Sequence, residues 1–180
     1  DHVLLDQGST FGLYSTQYST TGGGERLCMN VLPSDATKIG YTDCGLDPES
    51  FGTPQFVYSH LEPDADTDNE DTTDNEQNTY QVYPPGGSGT ECLSLNPDDG
   101  AVHQSELIVV PCDNTKTDTL QHFKVLFDTG MTYSGAAGAP KPTVSFVSVE
   151  RVCTFAAETT AANLIAPGTQ LVCIPHGGGT

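Results

Sequence analysis

Six cysteines, five histidines and 24 carboxylates are the side chains of this 180-residue chain best able to do chemistry. The histidines, His2, His60, His103, His122 and His176, are scattered, with no HExxH and no i,i+4 pair to hold a catalytic metal. No GxSxG elbow occurs. The glycine runs Gly22–Gly24, Gly86–Gly87 and Gly177–Gly179 lie beside Thr, Ser and Pro instead of leading from a strand into a helix. They read as loops and a tail, not as phosphate cradles. Paired acids for glycoside hydrolysis are nominated by no spacing. The expectation is a protein that is not an enzyme and requires no cofactor.

The carboxylates concentrate in residues 62–76, EPDADTDNEDTTDNE, where eight of fifteen are acidic and none is basic. Hard oxygens at alternate positions suit calcium. Asp64, Asp66 and Asp68, with Glu70 following, occupy the opening of a DxDxD loop. The pattern then departs from an EF-hand. Asn69 replaces the usual Gly, Asp71 stands at an apolar place, and Asn75 stands where a bidentate Glu belongs. The stretch reads either as a calcium loop of another kind or as a solvated acidic insertion.

The cysteines set the organisation. Cys28, Cys92 and Cys153 are 64 and 61 positions apart, and Cys44, Cys112 and Cys173 are 68 and 61 apart. Two interleaved series share a period near sixty residues, the signature of an internal repeat. Local pairing, Cys28–Cys44, Cys92–Cys112 and Cys153–Cys173, closes three short loops. Each is worth about 3 kcal/mol on the chain-entropy model. Buried thiols or a metal site are the alternatives, but the spacings match no CxxC zinc pattern. Disulfides imply an oxidising compartment and a secreted or cell-surface protein. The start without Met predicts a processed mature form.

Each unit reads as a short strand into a Cys, a loop, and a second short strand ending at a Cys. Two units add a Gln-Phe strand. Three units of four short strands predict an all-β, β-trefoil domain. Repeat one spans about 9–61, repeat two about 77–130 and repeat three about 131–180, with 62–76 as the insertion. The motifs Cys28-Met29-Asn30-Val31, Cys92-Leu93-Ser94-Leu95 and Gln121-His122-Phe123 resemble the ricin B-chain type lectin domain over about residues 14–175. Gln55-Phe56 is one residue off that spacing.

The resemblance implies carbohydrate binding through a carboxylate two residues after the first Cys and an aromatic two residues before the second. This chain holds Asn30, Ser94 and Phe155 at the first place and Thr42, Val110 and Leu171 at the second. Asn30 can imitate the acid, and Tyr41 stands one residue from the stacking position. Candidate sugar contacts are therefore Asn30, Tyr41, Ser94, His103 and Gln121, with Tyr58 as a further aromatic.

Repeat three lacks a fourth strand, because only Ile-Pro-His-Gly-Gly-Gly-Thr follows Cys173. Residues 1–8 supply a surplus one. Val3-Leu4-Leu5-Asp6-x-Gly8 lines up with Val125-Leu126-Phe127-Asp128-x-Gly130. That strand either closes its own barrel or inserts into a neighbouring copy.

Charge excludes other classes. Six basic residues against 24 acidic ones give a formal charge of -18, which repels nucleic acid and anionic membranes. No stretch reaches the ~18 apolar residues of a membrane span. No N-glycosylation sequon occurs, and Gly135–Thr143 reads as a Pro/Ala loop able to carry O-glycans. The expected partners are a glycan or glycoprotein, or copies of the chain itself. The leading expectation is a secreted lectin-like module. The second is a subunit of an extracellular filament or surface assembly built by N-terminal strand exchange. A third is a protease inhibitor acting through an exposed loop.

Overall fold

A computed structural model of the chain describes residues 2–5, 10–46, 53–61, 79–97, 105–127, 144–150, 153–157, 159–160 and 162–175. The acidic insertion, His103 and the Pro/Ala loop lie outside these residues. The described residues form twelve strands: β1 (His2–Leu5), β2 (Thr10–Tyr18), β3 (Arg26–Leu32), β4 (Asp35–Asp43), β5 (Phe56–His60) and β6 (Tyr80–Tyr83). They continue with β7 (Glu91–Leu95), β8 (Ser105–Pro111), β9 (Phe123–Phe127), β10 (Val144–Ser148), β11 (Cys153–Ala156) and β12 (Val172–Pro175). Short runs rich in β-branched and aromatic residues, punctuated by glycine turns, favour strands over helix. Gly22, Gly23 and Gly24, between β2 and β3, all take positive φ, which suits glycine alone.

The strands pair antiparallel into a nearly closed barrel. Ten of them form a ring in the order β2-β3-β4-β8-β12-β11-β10-β9-β6-β5, which returns to its start through β5 on β2. That closing ladder is short, Thr10↔Val57 and Phe11↔Phe56. β7 pairs β8 off the ring, and β1 lies along β2 from His2↔Tyr14 to Leu5↔Phe11. Within the segment 1–8 expected to supply a strand, His2–Leu5 forms β1 and pairs with β2 of the same chain.

Aromatic rings fill the barrel where β2, β5, β9, β10 and β11 converge. Phe11 stacks on Phe56 at 5.7 Å, Phe123 on Phe146 at 5.2 Å, and Phe155 lies 5.4 Å from Phe146. Offset and tilted rings at these separations add to the apolar burial that drives closure. At the other end, the hairpins β3–β4 and β11–β12 mesh closely. Tyr41 N donates to Thr169 O at 3.0 Å, and Leu171 N donates to Ile39 O at 2.9 Å. Gly40 permits this approach. A Cβ there would collide with the Thr169 carbonyl oxygen and reach within 2.6 Å of Leu32 Cδ2.

Two of the expected disulfides are formed. Cys28–Cys44 spans β3 to the end of β4, and Cys92–Cys112 spans β7 to the end of β8. Cys173 is also disulfide-bonded, whereas the Cys153 side chain lies outside the described residues. The glutamine of each Gln-Phe strand is spent on packing. Gln121 accepts from Asp113 N at 3.0 Å and from Gln81 Nε2 at 3.3 Å, and it donates to Pro111 O at 3.2 Å. In the first Gln-Phe strand, Gln55 Nε2 donates to the Thr53 hydroxyl at 2.9 Å, and that hydroxyl sits where a Cβ on Gly12 would be.

Gly40→Ala should lower stability by about 1–3 kcal/mol, the range for overpacking against a backbone that cannot yield. A urea titration checks this. Replacing Cys28 and Cys44 together by Ser should cost roughly 3 kcal/mol, since it frees a loop of that size in the unfolded chain.

Candidate functional site

A concavity among the described residues begins with an irregularity in β2. Tyr14 pairs with Cys28 and Tyr18 with Arg26, so Ser15, Thr16 and Gln17 stand opposite the single residue Leu27. Such a bulge bends the strand and turns backbone groups away from the ladder. Arg26 satisfies two of them. Its Nη1 donates to Thr16 O at 3.1 Å and to Ser15 O at 3.4 Å. Its Nη2 donates to the Tyr18 hydroxyl at 3.0 Å, and the guanidinium lies 4.0 Å from the Tyr18 ring centroid. Ser15 Oγ accepts from Gln17 N at 3.0 Å, fixing the bulge from within.

Beside the bulge lies a half-open pocket of about 210 Å³ between β2, β10 and β11. Ser15, Thr16, Gln17 and Ser145 bring hydroxyl and amide groups to it. Tyr41, Phe155, Ile165 and the two alanines 156 and 157 bring apolar surface. The segment at Ile165 is tied to the end of β2, with Ile165 N donating to Tyr18 O and Thr20 N to Ile165 O, both at 2.9 Å. Among the described residues no lining side chain carries a carboxylate, imidazole or amine. Burial pushes the Tyr41 phenol well above its ordinary range, against a smaller opposing effect of its hydrogen bond with Ser15. The pocket can donate, accept and stack. Its described lining residues offer no acid or base that titrates near neutral pH.

The sequence-derived sugar contacts are dispersed. Tyr41 is 1% exposed and belongs to the core beneath the pocket, not to a surface platform. Asn30 accepts from its neighbour Val31 N at 2.8 Å. Ser94 is buried and donates to Leu95 O at 2.7 Å. Gln121 is the buried clasp described above, and Tyr58 packs edge-on against Tyr80 at 5.0 Å. Only Tyr41 meets the pocket. Asp64, Asp66, Asp68, Glu70 and His103 fall outside the described residues, and among the described residues no group of three His, Cys, Asp or Glu side chains gathers as a metal site. Ser15, Thr16, Gln17, Ser145 and Phe155 were missed as a group. The one local signal is Ser-Thr-Gln between Tyr14 and Tyr18, a polar run that interrupts strand alternation.

A second ordered feature is the Asp113 carboxylate. It accepts from Thr115 N at 3.0 Å, and from Thr117 N and Asp118 N at 2.8 Å each. The Thr115 hydroxyl and these amides hold its pKa far below the carboxylate range. They tie down the loop into the 3₁₀ turn Thr119–Gln121, which is a structural role.

Comparison with protein-family models, with curated proteins and with solved structures returns no match. No helix among the described residues is long and apolar enough to cross a membrane. The disulfides fit an oxidising environment.

Tyr41, Tyr58 and Tyr80 are all held neutral by burial, and Tyr80 is pushed up to about 12. A raised folded pKa gives stability that is intact below the unfolded phenol value of about 10 and lost as pH rises through the folded value. Melting temperature should therefore fall between about pH 10 and 12. Ultraviolet titration should show these phenols ionising only as the protein unfolds.

Proposed function

We propose that the chain is an extracellular, non-enzymatic carbohydrate-binding module of β-trefoil architecture, and that its glycan site is the pocket beside the β2 bulge. The observation that carries this reading is the lining itself. Hydroxyl and amide groups stand over an aromatic and aliphatic floor, the pairing that suits a sugar ring with its polar rim and apolar face. At about 210 Å³ the pocket falls below the ~300–1,000 Å³ of drug-sized sites, which favours one ring over a chain of them.

The trefoil reading rests on the ladders. β1–β2, β2–β5, β5–β6, β6–β9 and β9–β10 join six strands in succession. The hairpins β3–β4, β7–β8 and β11–β12 meet pairwise at Lys38↔Ile108, Glu106↔Val172 and Gly40↔Gln170. Registers agree as well. Tyr58 pairs Val82, Val125 pairs Phe146, and Val3 pairs Leu13, so the N-terminal strand takes the place of a fourth strand for repeat three. Fold likeness alone would not argue function. The pocket argues it through the chemistry of its lining, in which Phe155, one of the places where the lectin pattern is lost, serves as apolar floor.

The alternative is an assembly subunit that exchanges its N-terminal strand. It is favoured by one observation: among the described residues, the only ladder of β1 is with β2.

Titration of the protein with methyl glycosides, followed by calorimetry or NMR, tests the main reading. Saturable binding that Ala156→Leu abolishes, with the melting temperature held, is expected. Binding that survives the substitution would move the site elsewhere. Deleting residues 1–8 should lower stability and leave a monomer. Higher-order species in the intact chain that vanish with the deletion would favour assembly instead.

A further inference from the structure

The bulge creates a requirement that only one side chain meets. Between Tyr14↔Cys28 and Tyr18↔Arg26, the carbonyls of Ser15 and Thr16 both accept from Arg26. Both residues also line the pocket. The guanidinium is fixed in turn by the Tyr18 ring and hydroxyl. A planar fork can serve two carbonyls and stack at once, which a lysine ammonium cannot. Arg26 thus acts on the pocket through the backbone of its rim.

The same arrangement bears on the charge of what can enter. Among the described residues the lining holds no cation, and Arg26 Nη1 and Nη2 donate to two carbonyls and a phenol. The chain as a whole carries -18. A carboxylate brought into this pocket would lose hydration and find no cationic donor to pair with among the described lining residues, which is unfavourable. A neutral ring needs only donors and acceptors, and the rim residues Ser15, Thr16, Gln17 and Ser145 supply them.

We propose that Arg26, clamped on Tyr18, is the positioning residue of this pocket, and that the rim it holds admits a single uncharged hexopyranose and refuses acidic sugars. The selectivity rests on the glycan reading above, whereas the clamp stands apart from it. The experiment has two readouts on wild type, Arg26→Lys and Arg26→Met. The first is amide hydrogen exchange without ligand. Both variants should speed exchange at residues 15–17 by roughly tenfold while the β3–β4 hairpin changes by less than about twofold, since local opening reports local stability. The second is titration with methyl hexopyranosides and their matched methyl hexuronides. Wild type should prefer a neutral hexoside over its uronide by at least about tenfold, and both variants should weaken hexoside binding by about tenfold through lost preorganisation. Unchanged exchange at 15–17 overturns the clamp, even if hexosides bind. Uronides binding as well as hexosides overturn the selectivity. Saturable binding of neither class overturns the glycan reading and the selectivity with it, and exchange then decides the clamp alone. A hexoside affinity restored by Arg26→Lys also overturns the need for the fork.

Discussion

Closure of the barrel depends on the contact between Phe11 and Phe56. Only two residue pairs join β2 to β5, and at one of them the rings stack at 5.7 Å. Phe11 also lies 6.0 Å from both Phe146 and Tyr58, so the seam is tied to the strands across the interior. The chain has no tryptophan and an apolar fraction of only 36%. A small number of phenylalanines and tyrosines must therefore make the interior continuous, and Phe11, Phe123, Phe146 and Phe155 link β2, β9, β10 and β11 through their ring contacts. Apolar burial of this kind is the dominant favourable contribution to folding.

The pocket is a by-product of that closure. β2 is the longest element that must serve three partners: β5 at its start, β1 along its first half, and β3 along the rest. A strand with such obligations cannot keep one register, and the bulge at Ser15–Gln17 absorbs the mismatch. Bulges re-aim side chains, and here they aim a polar triplet at the gap left between β2 and the third hairpin. The basic side chain at the bulge donates to its backbone, and the described residues lining the cavity are uncharged on a strongly acidic molecule.

Much of the fold was legible in the sequence because its signals are local. Cysteine spacing marked the hairpins, and the expected Cys28–Cys44 and Cys92–Cys112 bonds are present. Val3-Leu4-Leu5 read as a strand because it repeats Val125-Leu126-Phe127, and β1 forms there. The site was less legible. Tyr41 stands one residue from the stacking position of the lectin pattern, yet it shares strand parity with the buried Ile39, and alternation places it inside. Gln121 was a ligand candidate, although a glutamine two residues before a core phenylalanine is also well placed to bind the backbone of the preceding turn. Ser145 and Phe155 meet Ser15 only through ladders that join distant parts of the chain. No single-sequence pattern carries that information.

Gly12 and Gln81 occupy matching places, each following the residue that pairs with the phenylalanine of its Gln-Phe strand. One position is emptied so that the Thr53 hydroxyl can fill it, and the other is filled by an amide that reaches Gln121 and Asp113 O. The two solutions are mutually exclusive. A chimera that transplants β2 into the second unit would leave a hole beside Gln121, and one that transplants β6 into the first would drive an amide into Thr53. The two Gln-Phe strands therefore sit in surroundings that are not interchangeable, and a change that suits one cannot be copied into the other.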